Sequence, residues 1–324
     1  MKKSLIALAV LAASSTAFAG ADVYGQARIS IDKATNSKMT MADRVSRVGI
    51  KGTEDLGGGM SAVYGMEWDL DLNDNAETSG PFSGRNAFVG LKGAFGTVLA
   101  GKHDTPYKLA GSADLFADTA ADSQGSGSII GSSVTTSTTV PTSGTGFAGF
   151  DLRATNALAY ISPDFAGFHV AAAVTNNGAS ATALTDSKSL ALVYVNGPLK
   201  ATYGYEKHGA LTLSSTAETG NKFNVAYKIG DIGLGYTYEK QDRSGTASDS
   251  TNQLASVSFG MGPITLAAQY GNRDHKTAAT DLKRSTVGVV YALSKRTNTA
   301  VAYNHDDANG TKTNTTTVQL NHSF

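Results

Sequence analysis

The chain contains no cysteine, a single tryptophan and six prolines in 324 residues. Without cysteine there is no disulfide scaffold, no cysteine-type zinc site and no thiol nucleophile. An excess of one charge is also lacking: 27 Lys and Arg balance 27 Asp and Glu. No basic surface therefore points to nucleic acid. Charged residues make up only 17% of the chain, against ~25% in an ordinary soluble protein. No stretch after residue 19 holds 18 apolar residues in a row, which excludes spanning helices. Glycine, by contrast, is plentiful, at 36 residues.

Residues 1–19 have the order of a secretory leader. Lys2 and Lys3 precede an apolar run from Leu5 to Ala13, and Ala17-Phe18-Ala19 offers a small-x-small cleavage site. The run is too short to cross a bilayer core of ~30 Å. Cleavage after Ala19 would leave 305 residues (324 − 19), with 25 basic and 27 acidic side chains, as one domain over 20–324.

That remainder alternates in polarity. Leu199, Ala201, Tyr203 and Tyr205 share one side of a strand, with Lys200, Thr202 and Gly204 on the other. Ile232, Leu234, Tyr236 and Tyr238 oppose Gly233, Gly235 and Thr237; Ile264, Leu266, Ala268 and Tyr270 oppose Thr265, Ala267 and Gln269. Sixteen such segments are predicted, near 22–32, 44–53, 59–71, 84–93, 96–103, 152–162, 166–175, 188–196, 198–207, 221–229, 232–241, 252–261, 263–272, 283–292, 295–305 and 313–324. Short turns such as Asn196-Gly197-Pro198 and Gly230-Asp231 alternate with longer polar loops. That rhythm predicts an all-β, up-and-down antiparallel meander with two unlike ends.

A soluble β-sandwich or propeller would also alternate. Two features favour a transmembrane β-barrel. Tyr203, Tyr205, Tyr227, Tyr236, Tyr238, Tyr270, Tyr291, Tyr303 and Phe324 cluster at strand ends on the apolar side, as an aromatic girdle requires. The opposite side is too polar for a second dry core. A barrel of about sixteen strands leaves an aqueous interior.

Several segments carry a family resemblance. They are Asp22-Val23-Tyr24-Gly25, the run from Ser46 to Gly57, Arg85-Asn86-Ala87-Phe88-Val89-Gly90-Leu91-Lys92, Phe95 to Lys102, Thr105-Pro106-Tyr107, and the ending Leu320-Asn321-His322-Ser323-Phe324. In order and spacing the chain resembles the trimeric general porins of Gram-negative bacteria along its whole mature length. The resemblance implies passive outer-membrane diffusion of small hydrophilic solutes and ions, with no cofactor. It implies a homotrimer in outer-membrane lipid and lipopolysaccharide, inserted by the barrel assembly machinery that reads the final Phe. It also implies a third loop, here 103–151, folded inward to narrow the barrel.

In such porins a basic wall faces that loop. Alternation sends Arg47 and Lys51 inward, opposite Val48 and Ile50, and Arg153 opposite Leu158 and Tyr160. Arg85 and Lys102 match basic positions of the family, and Gln26 is a neutral inward residue where relatives often carry a base. On the loop, Asp114, Asp118 and Asp122 would align on one side if Ala110 to Ala121 formed a helix. The loop's second half, Gly125 to Gly146, is nearly all Ser, Thr and Gly. Acids facing bases would set a field across a narrow water layer.

Other motifs weigh less. Gly96 to Lys102 is one residue short of a phosphate-binding loop, with His103 in place of Ser or Thr. Asp69 to Asp74 imitates a calcium loop, but Asp74 replaces the obligatory Gly and Gly80 the closing Glu. Weak cation sites at Asp71, Asp74 or Asp306-Asp307 remain an expectation of that pattern. The six histidines have no metal spacing. An enzyme is not expected; the alternatives carried forward are a substrate-selective channel and an outer-membrane hydrolase.

Overall fold

The computed structural model describes residues 20–73, 82–125, 127–132, 149–175, 187–209, 218–243, 249–276 and 281–324. The leader at 1–19, most of the Ser/Thr/Gly-rich half of the long loop, and Asp74 and Gly80 lie outside the described residues.

Seventeen strands follow in chain order: β1 (Asp22–Ala34), β2 (Met39–Asp43), β3 (Arg47–Gly57), β4 (Met60–Leu70), β5 (Phe82–Gly93), β6 (Gly96–Asp104), β7 (Arg153–Ile161), β8 (Phe168–Thr175), β9 (Ser187–Asn196), β10 (Leu199–His208), β11 (Glu218–Ile229), β12 (Ile232–Asp242), β13 (Ser250–Met261), β14 (Ile264–His275), β15 (Leu282–Ala292), β16 (Thr297–Ala308) and β17 (Thr311–Ser323). β2 and β3 both pair with β1, at opposite ends. They form one stave interrupted at Arg44-Val45-Ser46, where Val45 takes φ 60° and Ser46 Oγ bonds both the amide and the carbonyl of Arg28. The result is a sixteen-stranded antiparallel barrel, closed by β1 against β17 from Gln26↔Ser323 to Ala34↔Thr315. No helix among the described residues is long and apolar enough to cross a membrane.

The alternation holds in three dimensions. Tyr203, Tyr236, Tyr238, Tyr270, Tyr291, Tyr303, Leu234, Leu266 and Val301 are exposed, while Thr202, Thr237, Gln269, Thr286 and Asn304 on the other parity are buried. In water an outward apolar face of this extent would be costly; in lipid it is the stable solution. Tyr205 departs from the girdle expectation by being half-buried.

The ladders divide into two kinds. From β7 through β17 the register runs without interruption. Among the earlier strands it shifts between β3 and β4, between β4 and β5 at Met66/Trp68, and between β6 and β7 at Gly101/His103. At the second shift Arg85 and Asn86 stand against the single residue Glu67; at the third, Thr155 and Asn156 stand against Lys102. Each is a bulge that re-aims side chains.

Candidate functional site

After β6 the chain makes one helical turn, α1 (Pro106–Leu109), capped by Thr105 Oγ1 accepting from the Lys108 amide. The helix considered for Ala110 to Ala121 does not form. Gly111 takes φ 77° and Asp118 φ 57°. Asp114 accepts from the Phe116 and Ser123 amides, Asp122 from Asp118 and Gln124, and Thr119 from Ala121. These side chains occupy the amides that a helix would need.

The segment from Tyr107 to Ser132 runs as a strap along the buried, polar parity of β10 to β16. Outbound, the Ala113 amide donates to Thr237 Oγ1 at 2.7 Å and Leu115 to Gln269 Oε1 at 2.9 Å. Phe116 packs under Gly288, where a Cβ would stand 2.6 Å from its ring. Returning, Ser123 Oγ accepts from Gln269, and Arg273 donates to Ser128 O and Ser132 Oγ at 2.6 Å. Arg284 donates to Asp122 O and, at 3.0 Å, to Ser128 Oγ, while gripping Asp306 through two bonds. Asp306, considered as a cation site, is thus an ion-pair partner.

Both limbs of the strap converge on Glu239, which is fully buried. Its carboxylate accepts from Tyr107 Oη at 2.6 Å, the Gly131 amide at 2.9 Å, Gln241 at 2.9 Å and Asn252 at 2.7 Å. Lys222 lies over the Tyr107 ring, 4.4 Å from its centroid. Phe150 stacks on His208 at 4.6 Å and sits where Gly220 has no side chain. The Tyr107 hydroxyl is held well above its ordinary pKa by burial and by Glu239.

The predicted site residues fall into three groups. Arg47 and Arg85 join in one network with two acids that sequence reasoning missed. Arg85 bonds Glu67 at 2.5 Å and Asp69 at 2.6 Å, and Arg47 approaches Glu67 at 3.6 Å. Tyr24 donates to the same Glu67, and Lys51 lies 5.0 Å from the Tyr24 ring centroid. Arg153 meets Asp104 at 3.3 Å and Asn86 at 2.9 Å, and Lys108 reaches Asp104 and Asp151. The alternation used for Arg153 crosses the β7 bulge and does not carry past it; its contacts come from Asp104 instead. Lys102 shares the parity of exposed Val98 and Ala100 and donates to the Gly84 carbonyl at 2.5 Å, within electrostatic reach of Arg153, Asp69 and Arg85.

On the loop the three acids part company. Asp118 pairs with Arg28 at 2.9 Å. Asp114 and Asp122 turn inward on the loop's own amides. Burial and the neighbouring Asp114 push the Asp122 carboxyl well above the ordinary carboxylate range. Gln26 lies beside Arg28 and Arg47. With its amide oxygen turned to Arg28, Gln26 accepts from Nη2 and Nε at 2.8 and 3.0 Å. Arg28, Arg273 and Arg284 were legible by parity, since each shares the polar side of its strand. Glu67 was legible in the same way, sharing the side of Gly65 and Asp69. Asp104 carried no such signal, because along β6 it shares the parity of exposed Val98 and Ala100. Among the described residues no group of three His, Asp or Glu is spaced to hold a metal ion.

Comparison with known proteins agrees with this architecture. The family model described as Gram-negative porin matches residues 4–311. Outer membrane porin protein 32 of Delftia acidovorans is 32% identical over 319 aligned residues, covering 92% of this chain and 87% of that one. In fold, the anion-selective porin from Comamonas acidovorans superposes with a TM-score of 0.74 at 21% identity, over 95% of this chain and all of that one. Salmonella typhi OmpF, solved with daunomycin, gives 0.71 at 15% identity, covering 94% and 98%. A closed sixteen-stranded barrel with an apolar exterior, matched along nearly its whole length, makes this chain a member of the Gram-negative porin family, an outer-membrane protein of porin-like channel function.

Proposed function

We propose that the protein is a passive channel for small hydrophilic solutes and ions, and that the strap lies in the bore and narrows it. One observation carries this reading: the strap's hydrogen bonds go to the buried parity of β12, β14 and β15, while the Arg47–Glu67–Arg85–Asp69 network stays clear of it. On this reading the water passage runs between that network and the edge of the strap that carries Lys108, Ala117 and Asp118. Lumen placement also suits the charges, since Arg or Lys at a lipid-facing midplane costs roughly 2–4 kcal/mol.

Bases and acids along this passage come in pairs. Arg28 with Asp118, Arg47 and Arg85 with Glu67 and Asp69, and Arg153 with Asp104 set a field across the water layer without a strong excess of either sign. A zwitterion or hydrated ion can align with such a field, whereas an apolar solute must displace ordered water. The Comamonas protein is described as anion-selective; here the paired charges favour modest selectivity. The same reading takes residues 1–19 as a leader removed on export. It takes the assembled state as a homotrimer in lipid and lipopolysaccharide, inserted by the barrel assembly machinery.

Purified protein in a planar bilayer under a salt gradient tests this. The expected record is large steps closing in threes with a small reversal potential. Absence of conductance from a folded, heat-modifiable barrel would overturn the channel reading.

A further inference from the structure

The strap is fixed unevenly. Its base is dry and many-bonded at Glu239. Phe116 and Ala121 are buried against Ala302. Between them lies the tip at Ala117 and Asp118; inside the strap the Asp118 amide donates to Asp122, and from the wall the tip is met by Arg28 on the first stave. Arg28 Nη1 donates to the Ala117 carbonyl at 3.3 Å, the Asp118 carbonyl at 3.2 Å and the Asp118 carboxylate at 2.9 Å. Asp118 is in the left-handed region, so the turn presents both its carbonyl and its carboxylate to one guanidinium. Arg28 is itself braced: Nε reaches Asn321 Oδ1 at 3.4 Å, and Gln26 stands two residues before it on the same side. Its side chain is 13% exposed and that of Asp118 34%.

We infer that Arg28 is a positioning residue for permeation: its guanidinium holds the strap's tip to the first stave and so fixes the width of the passage. The inference rests on the proposed placement of the strap in the bore. The guanidinium meets the tip through Nη1 while Nε and Nη2 face Asn321 and Gln26 on the wall. One planar group thus bridges strap and stave, whereas an ammonium has a single nitrogen and acts as a point charge. Loss of the fork frees the tip even when the charge stays. Holding the tip and contributing charge are therefore separable functions.

The absence of cysteine provides the control. In A117C, a cationic methanethiosulfonate reagent should lower single-channel conductance, with the cysteine-free parent silent. No fall in a verified labelled channel would overturn the placement of the strap, and this inference with it. Open-channel noise of R28A, R28K and D118A, each checked for heat-modifiable folding, then tests the tie itself. All three should show a severalfold rise, and R28A with D118A should rise no more than the larger single change. Reversal potential should move in opposite directions in R28A and D118A and stay near the parent's in R28K. Noise at the parental level in R28K and D118A, with A117C still blocked by the reagent, would overturn the tie alone and leave the strap's placement standing.

Discussion

The two halves of the barrel wall are built differently. From β8 to β17 the ladders are unbroken and the side chains alternate, and the strap is bonded to polar residues of that wall: Thr237, Glu239, Gln269, Arg273 and Arg284. From β1 to β7 the second stave is broken at Val45, and bulges stand at Glu67 and at Thr155-Asn156. Ion pairs concentrate in that irregular half. A regular ladder offers one polar residue in two at fixed spacing, which suits a long covered contact. A bulge brings neighbours such as Arg85 and Asn86 into the same network, and crossed charges need that density.

If the regular half mainly bears the strap, disrupting its central acceptor should have the largest effect. E239A leaves the Tyr107 hydroxyl and the Gly131 amide buried without an acceptor, at about 1–3 kcal/mol each. It should lower the thermal unfolding midpoint and raise conductance; an unchanged midpoint would show that the strap is held elsewhere. The irregular half should respond in charge rather than in stability. E67Q leaves Arg47 and Arg85 less compensated and should move the reversal potential toward anions, while R85A moves it toward cations. Shifts of the same sign would mean that these residues do not line the conducting path.

The smallest effect concerns pH. Because the Asp122 carboxyl titrates well above the ordinary carboxylate range when the strap is folded, folding favours its protonated form. The strap should be held best in acid and loosen as pH rises from the ordinary carboxylate range through the raised value, with no further change above it. Amide exchange at Ser123 and Gln124 against pH would report this. D122N should flatten the profile, and a slope surviving in D122N would place the titrating group elsewhere.

Legibility from sequence followed the same division. In the regular half the alternation around Tyr236, Leu266 and Val287 predicts both the strands and their exposed sides, and strand ends agree closely, as at Ile232–Asp242 against 232–241. In the other half the second stave was expected from residue 44, yet it starts at Met39 and breaks where Val45 takes positive φ, an unusual conformation for a β-branched residue. Arg47 and Arg85 were named but Glu67 was not, although alternation in β4 puts it on the side of Gly65 and Asp69; the bulge displaces its partners on β5, Arg85 and Asn86. Asp69 was read as part of a false calcium loop and is instead a partner of Arg85. The loop helix failed for a local reason, its Asp and Thr side chains having bonded the amides first.

The closing pair of strands has a consequence in time. Gly25 and Phe324 exchange both backbone hydrogen bonds at 3.1 Å, so the first stave, already paired with the second, gains its other neighbour only from β17. Every intermediate before that moment has an open sheet with an unpaired edge, and the final pairing closes the longest loop in the chain. Until β17 pairs with β1 the sheet offers a free edge to neighbouring chains, and closure of the barrel is what removes it.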